Sequence, residues 1–507
     1  MRKKQEFTSQ LKFSHNYLEQ CKLSDSSTLL ANGVSLMQKI GVLVVSYGAR
    51  EVAMVDALLQ STNYQVELYI ADKQRNPFNE QKAAKHVVIP NLDVEGICKF
   101  AEANKDKIDF VLVGSEKPII EGVRDLVEKR VGIPVICPKQ QYAIEVSKIE
   151  QRLLFQEIAP EANPRFKIFN PADYKVEAEA KSAVYRWLDE LDNQAVVKPD
   201  KPALGKGVGV WGDHFATREQ LFEHFMSNFL YGSVIIEEKI DGEESSFMAF
   251  CDGKHFIPLP DTRDYKRAFD DDKGPNTGGM GSYKDAGDTL PFLTADERQQ
   301  ELALANKIFK GWKAKIKDDS ALKGVPLYLA FMHTGKGIKV LENNSRPGDP
   351  EIINLLSIIK DDFVDLCFKM IEGNLTSVEL EKAATVLTYK VPPDYGGYAD
   401  VFPSRADKSA VNTPVDLSKA YALTKKYGSR IRIYPGSMEK RNGKNYALKS
   451  RAVGVLGVGE SIEEARQISL EGTKAITGGT LWNRTDIASK QHIAKSISHM
   501  ESLRRKA

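Results

Sequence analysis

The sequence predicts a multidomain chain of mixed α/β and α+β class: an N-terminal parallel α/β domain, a central α+β region with a largely antiparallel sheet, and a small C-terminal α+β domain. Three observations predict it. From residue 41 to about 137, short apolar runs alternate with helical segments. Between about 155 and 375, strand-like pieces lie among glycine-rich loops. Beyond about 380, a strand pattern is followed by a hairpin signal and a capped helix. A chain of 507 residues allows two to four domains.

In the first region "GVLVV" stops at "SYGAR" and leads into the helical "EVAMVDALLQ". "YQVELYI" places apolar or aromatic residues at alternate positions, and "HVVIP" is strand-like. "VEGICKFAEAN" is helical, "IDFVLVG" a strand, "IIEGVRDLVEKR" one helix and "IPVIC" a strand. Strands alternating with helices of this length imply a parallel sheet covered on both faces. Ligands of such sheets bind at the carboxyl ends of the strands, here Ser46 to Arg50 and Gly114 to Pro118.

The central strands are "AVVKPD", "SVIIEEKI", "SSFMAFCDG", "PLYLAFMH" and "GIKVLENN". The last region opens with "ATVLTYKVPP". Asn442-Gly443 in "EKRNGKNYAL" predicts a hairpin turn. Ser461 and Glu464 predict a capping box, with Gly472 as the stop of the helix that follows.

Composition excludes several classes. Residues are 42% hydrophobic and 28% charged, with a formal net charge of +2, which gives no support for a nucleic-acid binder acting through bulk charge. No apolar run reaches the length of a membrane span. The start "MRKKQEFTSQLKF" is basic but lacks an apolar core, so a secretory signal is not expected. The five cysteines, Cys21, Cys98, Cys137, Cys251 and Cys367, are scattered and form no CxxC pair. They read as reduced thiols of a cytoplasmic protein, without a disulfide frame or zinc site.

Four segments carry chemistry. In "VVKPDKPALGKGVGV", Lys198 ends a strand and Gly205-Lys206-Gly207 forms a flexible turn with a second cation. Backbone N–H groups and lysines together suit a phosphate chain; the bland alternative is an exposed turn. The glycine spacing of a Walker A loop is absent. In "IIEEKIDGEESSF", Glu237 suits an amino group and a second glutamate a ribose, against a simple solvated strand end. In "KVLENNSRPGDPE", Glu342 and Asn344 share one strand face and offer hard oxygen donors for Mg²⁺. Arg346 follows on that face, ready to neutralise a transferring phosphoryl group; the alternative is a polar turn. Finally, "GPNTGGMGSY" packs four glycines into ten residues. That density is entropically unfavourable unless main chain must approach a ligand.

In this order and at these separations, the segments resemble the glycinamide ribonucleotide synthetase family of ATP-grasp ligases. The similarity runs from about residue 41 to about 480, and includes "VSKIEQRLLFQ" around Lys148 and "SRAVGVLGVGESIEEA". The resemblance implies an N-terminal extension over 1–40, a first domain over 41–145, and an ATP-grasp domain over 146–380 with its small lid at about 155–232. A C-terminal domain would cover 381–507. It further implies that Lys148 and Lys198 contact ATP phosphates beneath a Gly205, Lys206, Gly207 and Val208 loop. Glu237, with the backbone of Glu238 to Ile240, would hold adenine, and Glu243 or Glu244 the ribose. Glu342 and Asn344 would bind Mg²⁺ or Mn²⁺. Asp264, Lys266 and Arg346 would act in catalysis. Arg267, Asn276, Thr277, Gly278, Gly279, Met280, Gly281 and Asp349 would line the amino-acid site, and Gly48, Arg50, Glu51, Gly114 and Glu116 the ribose-phosphate site.

The expected reaction joins glycine to 5-phosphoribosylamine in purine synthesis, with small molecules as partners, neither nucleic acid nor membrane. The expected assembly is a monomer or small homo-oligomer. The chain departs from the family pattern at several loops. Tyr47 and Val52 replace a small residue and a histidine. Lys117 replaces an alanine, and Ser115 a proline. "KQRNPFN" replaces a glycine-rich turn, Tyr265 a histidine, and Ser345 and Pro347 a cysteine and a phenylalanine. Altered N-terminal loops admit a ligase with another amine or amino acid. A nucleotide-binding homologue without turnover is a third reading. A dinucleotide-dependent oxidoreductase is a fourth, and it lacks the G-x-G-x-x-G signature.

Overall fold

The computed structural model describes residues 37–201, 207–401 and 412–507. The expected extension up to residue 36, Cys21, Gly205 and Lys206 lie outside them. The first sheet is wholly parallel, in the order β3-β2-β1-β4-β5. Its strands are β1 (Gln38–Ser46), β2 (Tyr64–Asp72), β3 (Lys85–Val88), β4 (Phe110–Val113) and β5 (Val135–Ile136). Side chains of β1 alternate between two cores, as a strand buried on both faces requires. Val42 and Val44 join the core beneath helix Ala49–Leu59, whereas Leu43 and Val45 join the opposite one. Strand order reverses between β1 and β4, which opens a crevice at their carboxyl ends. The single helix expected over 119–130 is two, Glu116–Ile120 and Val123–Arg130. Gly122, at φ +83°, makes the break in the left-handed region that glycine enters without strain.

A second, antiparallel sheet runs β6-β9-β7-β8. It contains β6 (Phe166–Phe169), β7 (Ala195–Pro199), β8 (Gly209–Val210) and β9 (Val234–Glu238). Helices Glu177–Glu190 and Arg218–Phe229 cover it through Phe169, Trp187, Phe222 and Phe225. Strand β6 is not among the expected strands; it is a four-residue edge strand, too short for its alternation to stand out.

Onward from Glu243 the chain forms β10 (Glu243–Asp252), β11 (Phe256–Pro258), β12 (Arg263–Asp264), β13 (Arg267–Phe269), β14 (Lys273–Asn276) and β15 (Gly281–Lys284). Then come β16 (Lys323–Gly324), β17 (Tyr328–Thr334), β18 (Gly337–Asn344), β19 (Ala384–Lys390), β20 (Ile431–Pro435), β21 (Met438–Arg441), β22 (Lys444–Ala447) and β23 (Val453–Gly459). A third sheet runs β11-β10-β17-β18. A fourth runs β12-β15-β19-β23-β20 and so joins strands from either side of residue 380. The boundary expected at 380/381 falls within its strand set.

The β21–β22 turn has Asn442 at φ +48° and Gly443 at φ +74°, the paired left-handed geometry of a two-residue hairpin. Helix Ile462–Ala475 departs from expectation twice. Ser461 Oγ accepts from Glu464 N, but the Glu464 carboxylate accepts from Glu460 N, one residue before the cap, so the reciprocal box does not form. Gly472 does not end the helix. It lies inside it, where a Cβ would sit 2.5 Å from Val455 Cγ1 and 3.0 Å from Ile431 Cδ1. Its role is close packing on β23 and β20.

Among the described residues no helix is long and apolar enough to cross a membrane. Cys98, Cys137, Cys251 and Cys367 are buried free thiols.

Candidate active site

The ends of β7 and β18 meet the start of helix Lys148–Ile158. Ser147 caps that helix, accepting from Glu150 N and donating to Asp200 Oδ1 at 2.6 Å, while Lys148 N donates to Asp200 O at 3.1 Å. The helix start is thus tied to the segment just past Lys198. Lys198 Nζ donates to Glu237 Oε2 at 2.7 Å. Glu342 lies near both lysines, and its carboxylate enters no hydrogen bond or ion pair among the described residues. Burial acts to raise its carboxyl, but Lys266, Lys198, Lys148 and Arg346 together hold it below the usual carboxylate range. Burial in turn draws the Lys148 ammonium below its ordinary value, with Glu342 opposing.

Asn344, two residues on, shares the Glu342 face. No group of three or more His, Cys, Asp or Glu side chains suited to a metal occurs among the described residues. A half-buried carboxylate and an amide amid lysines fit a hard divalent cation that takes its remaining ligands from phosphates and water.

Two expected nucleotide contacts are already taken. Glu237 is 2% exposed, and both its oxygens are held by Arg152 as well as Lys198. It is not open to an adenine amino group. Burial would raise its carboxyl, and Arg152 and Lys198 bring it down to about 2. Glu243 is paired with Arg263 at 2.6 Å and with His499 of the C-terminal helix at 2.7 Å, so it is not an open ribose acceptor. Glu244 accepts from Lys266 Nζ. Glu238 Oε1 accepts from Arg165 N at 2.9 Å, and Ile240 lies half-buried in the link between β9 and β10. Gly207, at φ +94°, offers its carbonyl to His224 Nε2, and half-buried Val208 precedes β8.

The glycine-rich segment is pinned from both ends. Arg267 pairs with Asn276 across β13 and β14. Thr277 N and Oγ1 both donate to Lys266 O, and Met280 N donates to Tyr265 O. Gly278 N donates to the Tyr395 hydroxyl, and its carbonyl accepts from Arg451. Gly279 has φ +101°, and a Cβ there would stand 2.6 Å from both Asp264 Oδ1 and Pro350 Cδ. A Cβ at Gly281 would stand 2.5 Å from Leu387 O. Asp264 Oδ1 is buried without a hydrogen-bond partner, and burial, then Glu351, raises its carboxyl well above the ordinary range against the pull of Lys266. Asp349 is held by Tyr389 and Arg451.

At the crevice of the first sheet, Arg50 and Glu51 are buried against each other. Arg50 Nη1 also donates to Pro347 O, and Gly48 N donates to Glu51 Oε2. Glu116 lies 3.6 Å from Arg346 Nε, which is 3.5 Å from Glu145 Oε1. Burial pushes the Glu145 carboxyl up to about 7, with Arg346 opposing. Gly114 leaves room for Glu51, whose Oε1 would stand 2.6 Å from a Cβ there. The departures from the family pattern also have places. Val52 is buried in the core, Tyr47 lies under the Lys73 ammonium, and Lys117 Nζ donates to Asn91 O.

Sequence reasoning missed Arg152, Glu145, Arg451 and His499. Arg152 alone left a signal: it falls one helical turn after Lys148, on the same face.

Two family models match, "Phosphoribosylglycinamide synthetase, N domain" over residues 40–145 and "Phosphoribosylglycinamide synthetase, ATP-grasp (A) domain" over residues 165–352. Phosphoribosylamine–glycine ligase of Methanocella arvoryzae is 36% identical over 91% of this chain and 99% of its own. That of Methanocaldococcus jannaschii is 36% identical over 92% and 100%. The crystal structure of phosphoribosylamine–glycine ligase from Thermotoga maritima superposes with a TM-score of 0.67 at 23% identity, covering 88% of this chain and all of that one. The fold, with its cationic cleft between two antiparallel sheets, is that of an ATP-grasp protein. The chain belongs to the phosphoribosylglycinamide synthetase family.

Proposed function

We propose that the protein is an ATP-dependent carboxylate–amine ligase that joins glycine to 5-phosphoribosylamine, giving glycinamide ribonucleotide, ADP and phosphate in de novo purine biosynthesis. The observation that carries this reading is near-full-length similarity, at 36% identity, to relatives named for that reaction. The cleft supports it chemically, because Glu342 lies amid four cations beside a glycine-rich segment.

A carboxylate is a poor acyl donor. In the proposed sequence a glycine carboxylate oxygen takes the γ-phosphoryl group, ADP leaves, and glycyl phosphate forms. The amine nitrogen then attacks the acyl carbon and gives up a proton as the bond to phosphate breaks. Lys148 and Lys198 hold the phosphates; Gly205 and Lys206, expected above them, lie outside the described residues. Lys266 and Arg346 neutralise charge developing at the transferred group, while Asp264 and Asn276 to Gly281 orient glycine. Glu238 N and Lys239 N already donate to Arg165 O and Gln194 O, so within the Glu238 to Ile240 link the Ile240 N–H is left to meet adenine, and Glu244 the ribose. Glu342 and Asn344 would hold Mg²⁺ or Mn²⁺, which would supply neutralisation of phosphate charge. Arg50, Glu116 and their neighbours form the ribose-phosphate crevice. The enzyme acts in the cytoplasm, as a monomer or small homo-oligomer.

The test is ADP release from ATP and Mg²⁺ with freshly made phosphoribosylamine, with and without glycine. Release that needs both, with matching amide product, is expected. Release that needs glycine but ignores the amine favours a second reading, a different amine, for which the Tyr47–Lys73 contact at the crevice is the motive. No release from protein that binds ATP overturns the ligase reading.

A further inference from the structure

Strand β18 carries a bulge. Ala330 faces Glu342, but Phe331 faces Val340, so Leu341 is an extra residue directly before Glu342. The carbonyls of Val340 and Leu341 both turn to Arg152, accepting from Nη1 at 2.9 Å and from Nη2 at 2.6 Å. The other edge of the same guanidinium grips Glu237, Nε to Oε1 at 2.6 Å and Nη2 to Oε2 at 3.0 Å. Nη1 also reaches Asn163 Oδ1 at 3.4 Å. All five N–H groups of the side chain are therefore matched to acceptors, and Arg152 is 2% exposed. Glu237 in turn anchors Lys198.

We propose that Arg152 is a positioning residue that sets the separation of Lys198 and Glu342 across the two sheets of the cleft. It holds β9 through Glu237 and β18 through the bulge, so one rigid planar group fixes both. Neutralising buried Glu237 requires only one edge of the fork. The second edge serves the two bulge carbonyls, which a lysine cannot reach while also pairing with Glu237. The inference rests on the reading that Lys198 and Glu342 serve ATP and its divalent cation.

The test uses the full-length protein with Mn²⁺ and ADP as probes. In Arg152→Lys, kcat is expected to fall about 100-fold, and the Mn²⁺ concentration that half-saturates the ADP complex, read by electron paramagnetic resonance, to rise about tenfold. ADP affinity without divalent cation is expected to change by less than about threefold, within the scatter of single-contact effects. Glu237→Gln, which leaves Arg152 on the bulge but loosens its hold on β9, is expected to weaken ADP and to raise the half-saturating Mn²⁺ concentration by less than Arg152→Lys does. The double variant R152Q/E237Q removes the Arg152 and Glu237 charges together, so its folding does not hang on an unpaired glutamate, although Lys198 loses its partner. It is expected to show the Mn²⁺ shift as well. Wild-type Mn²⁺ dependence in R152K or in the double variant overturns the proposal. Wild-type protein that binds no ADP overturns the nucleotide reading instead, and that is seen before any variant is made.

Discussion

The Glu342 carboxylate has no direct partner among the described residues, so its removal breaks no hydrogen bond or ion pair, although it withdraws a counter-charge from Lys148. Glu342→Ala is therefore expected to fold normally and to lose turnover by at least about 10³-fold. Full activity would remove it from the proposed cation site. Gly279→Ala places a Cβ against Asp264 Oδ1 and Pro350 at a φ of +101°. It is expected to destabilise by about 1–3 kcal/mol in urea unfolding and to weaken glycine-dependent ADP release. Lys198, Glu342 and the glycine-rich segment stand out in the chain because polar groups end apolar strands there. The pairing of Glu237 and Glu243 does not. Their partners Arg152 and His499 are 85 and 256 residues away, and nothing local marks either pairing, though Arg152 shares a helix face with Lys148.

Alternation of apolar runs and helical segments locates the parallel sheet and its strand ends, and the Asn442-Gly443 dipeptide marks the hairpin. The alternation fails where a single glycine has two meanings. Gly122 breaks a helix in the left-handed region, whereas Gly472 stays helical and makes room for Val455. Helix propensity alone predicts that Gly472→Ala stabilises by about 1 kcal/mol. Packing predicts the reverse, because a methyl group 2.5 Å from Val455 must displace it, at about 1–3 kcal/mol. Urea denaturation of the variant decides between them, and loss of stability is expected.

Across the whole molecule, buried acids fix the response to pH. Burial would raise the carboxyls of Glu237 and Glu301. Arg152 and Lys198 for the first, and His333 and Arg298 for the second, bring both to about 2 from an ordinary 4.5. Each therefore contributes stability that is present above about pH 4.5 and lost as pH falls toward 2. Denaturant midpoints measured between pH 6 and 2.5 should fall steeply below 4.5. The slope should flatten in Glu237→Gln, and an unchanged slope would remove that pair from the acid response. The sheet that joins β12 and β15 to β19, β23 and β20 is the feature least readable from the chain. Pairing across a hundred residues leaves no periodic trace in either partner.

That sheet has a consequence for synthesis on the ribosome. Strand β15, which ends the glycine-rich segment, has β19 as its neighbour, and β19 has β23. At about 5–20 residues per second, the nascent chain waits roughly ten seconds or more between emergence of residue 284 and residue 459. Through that interval the first domain can fold, but the glycine-rich segment has no completed sheet to rest on. The order of translation thus assembles the glycine-rich end of the cleft last.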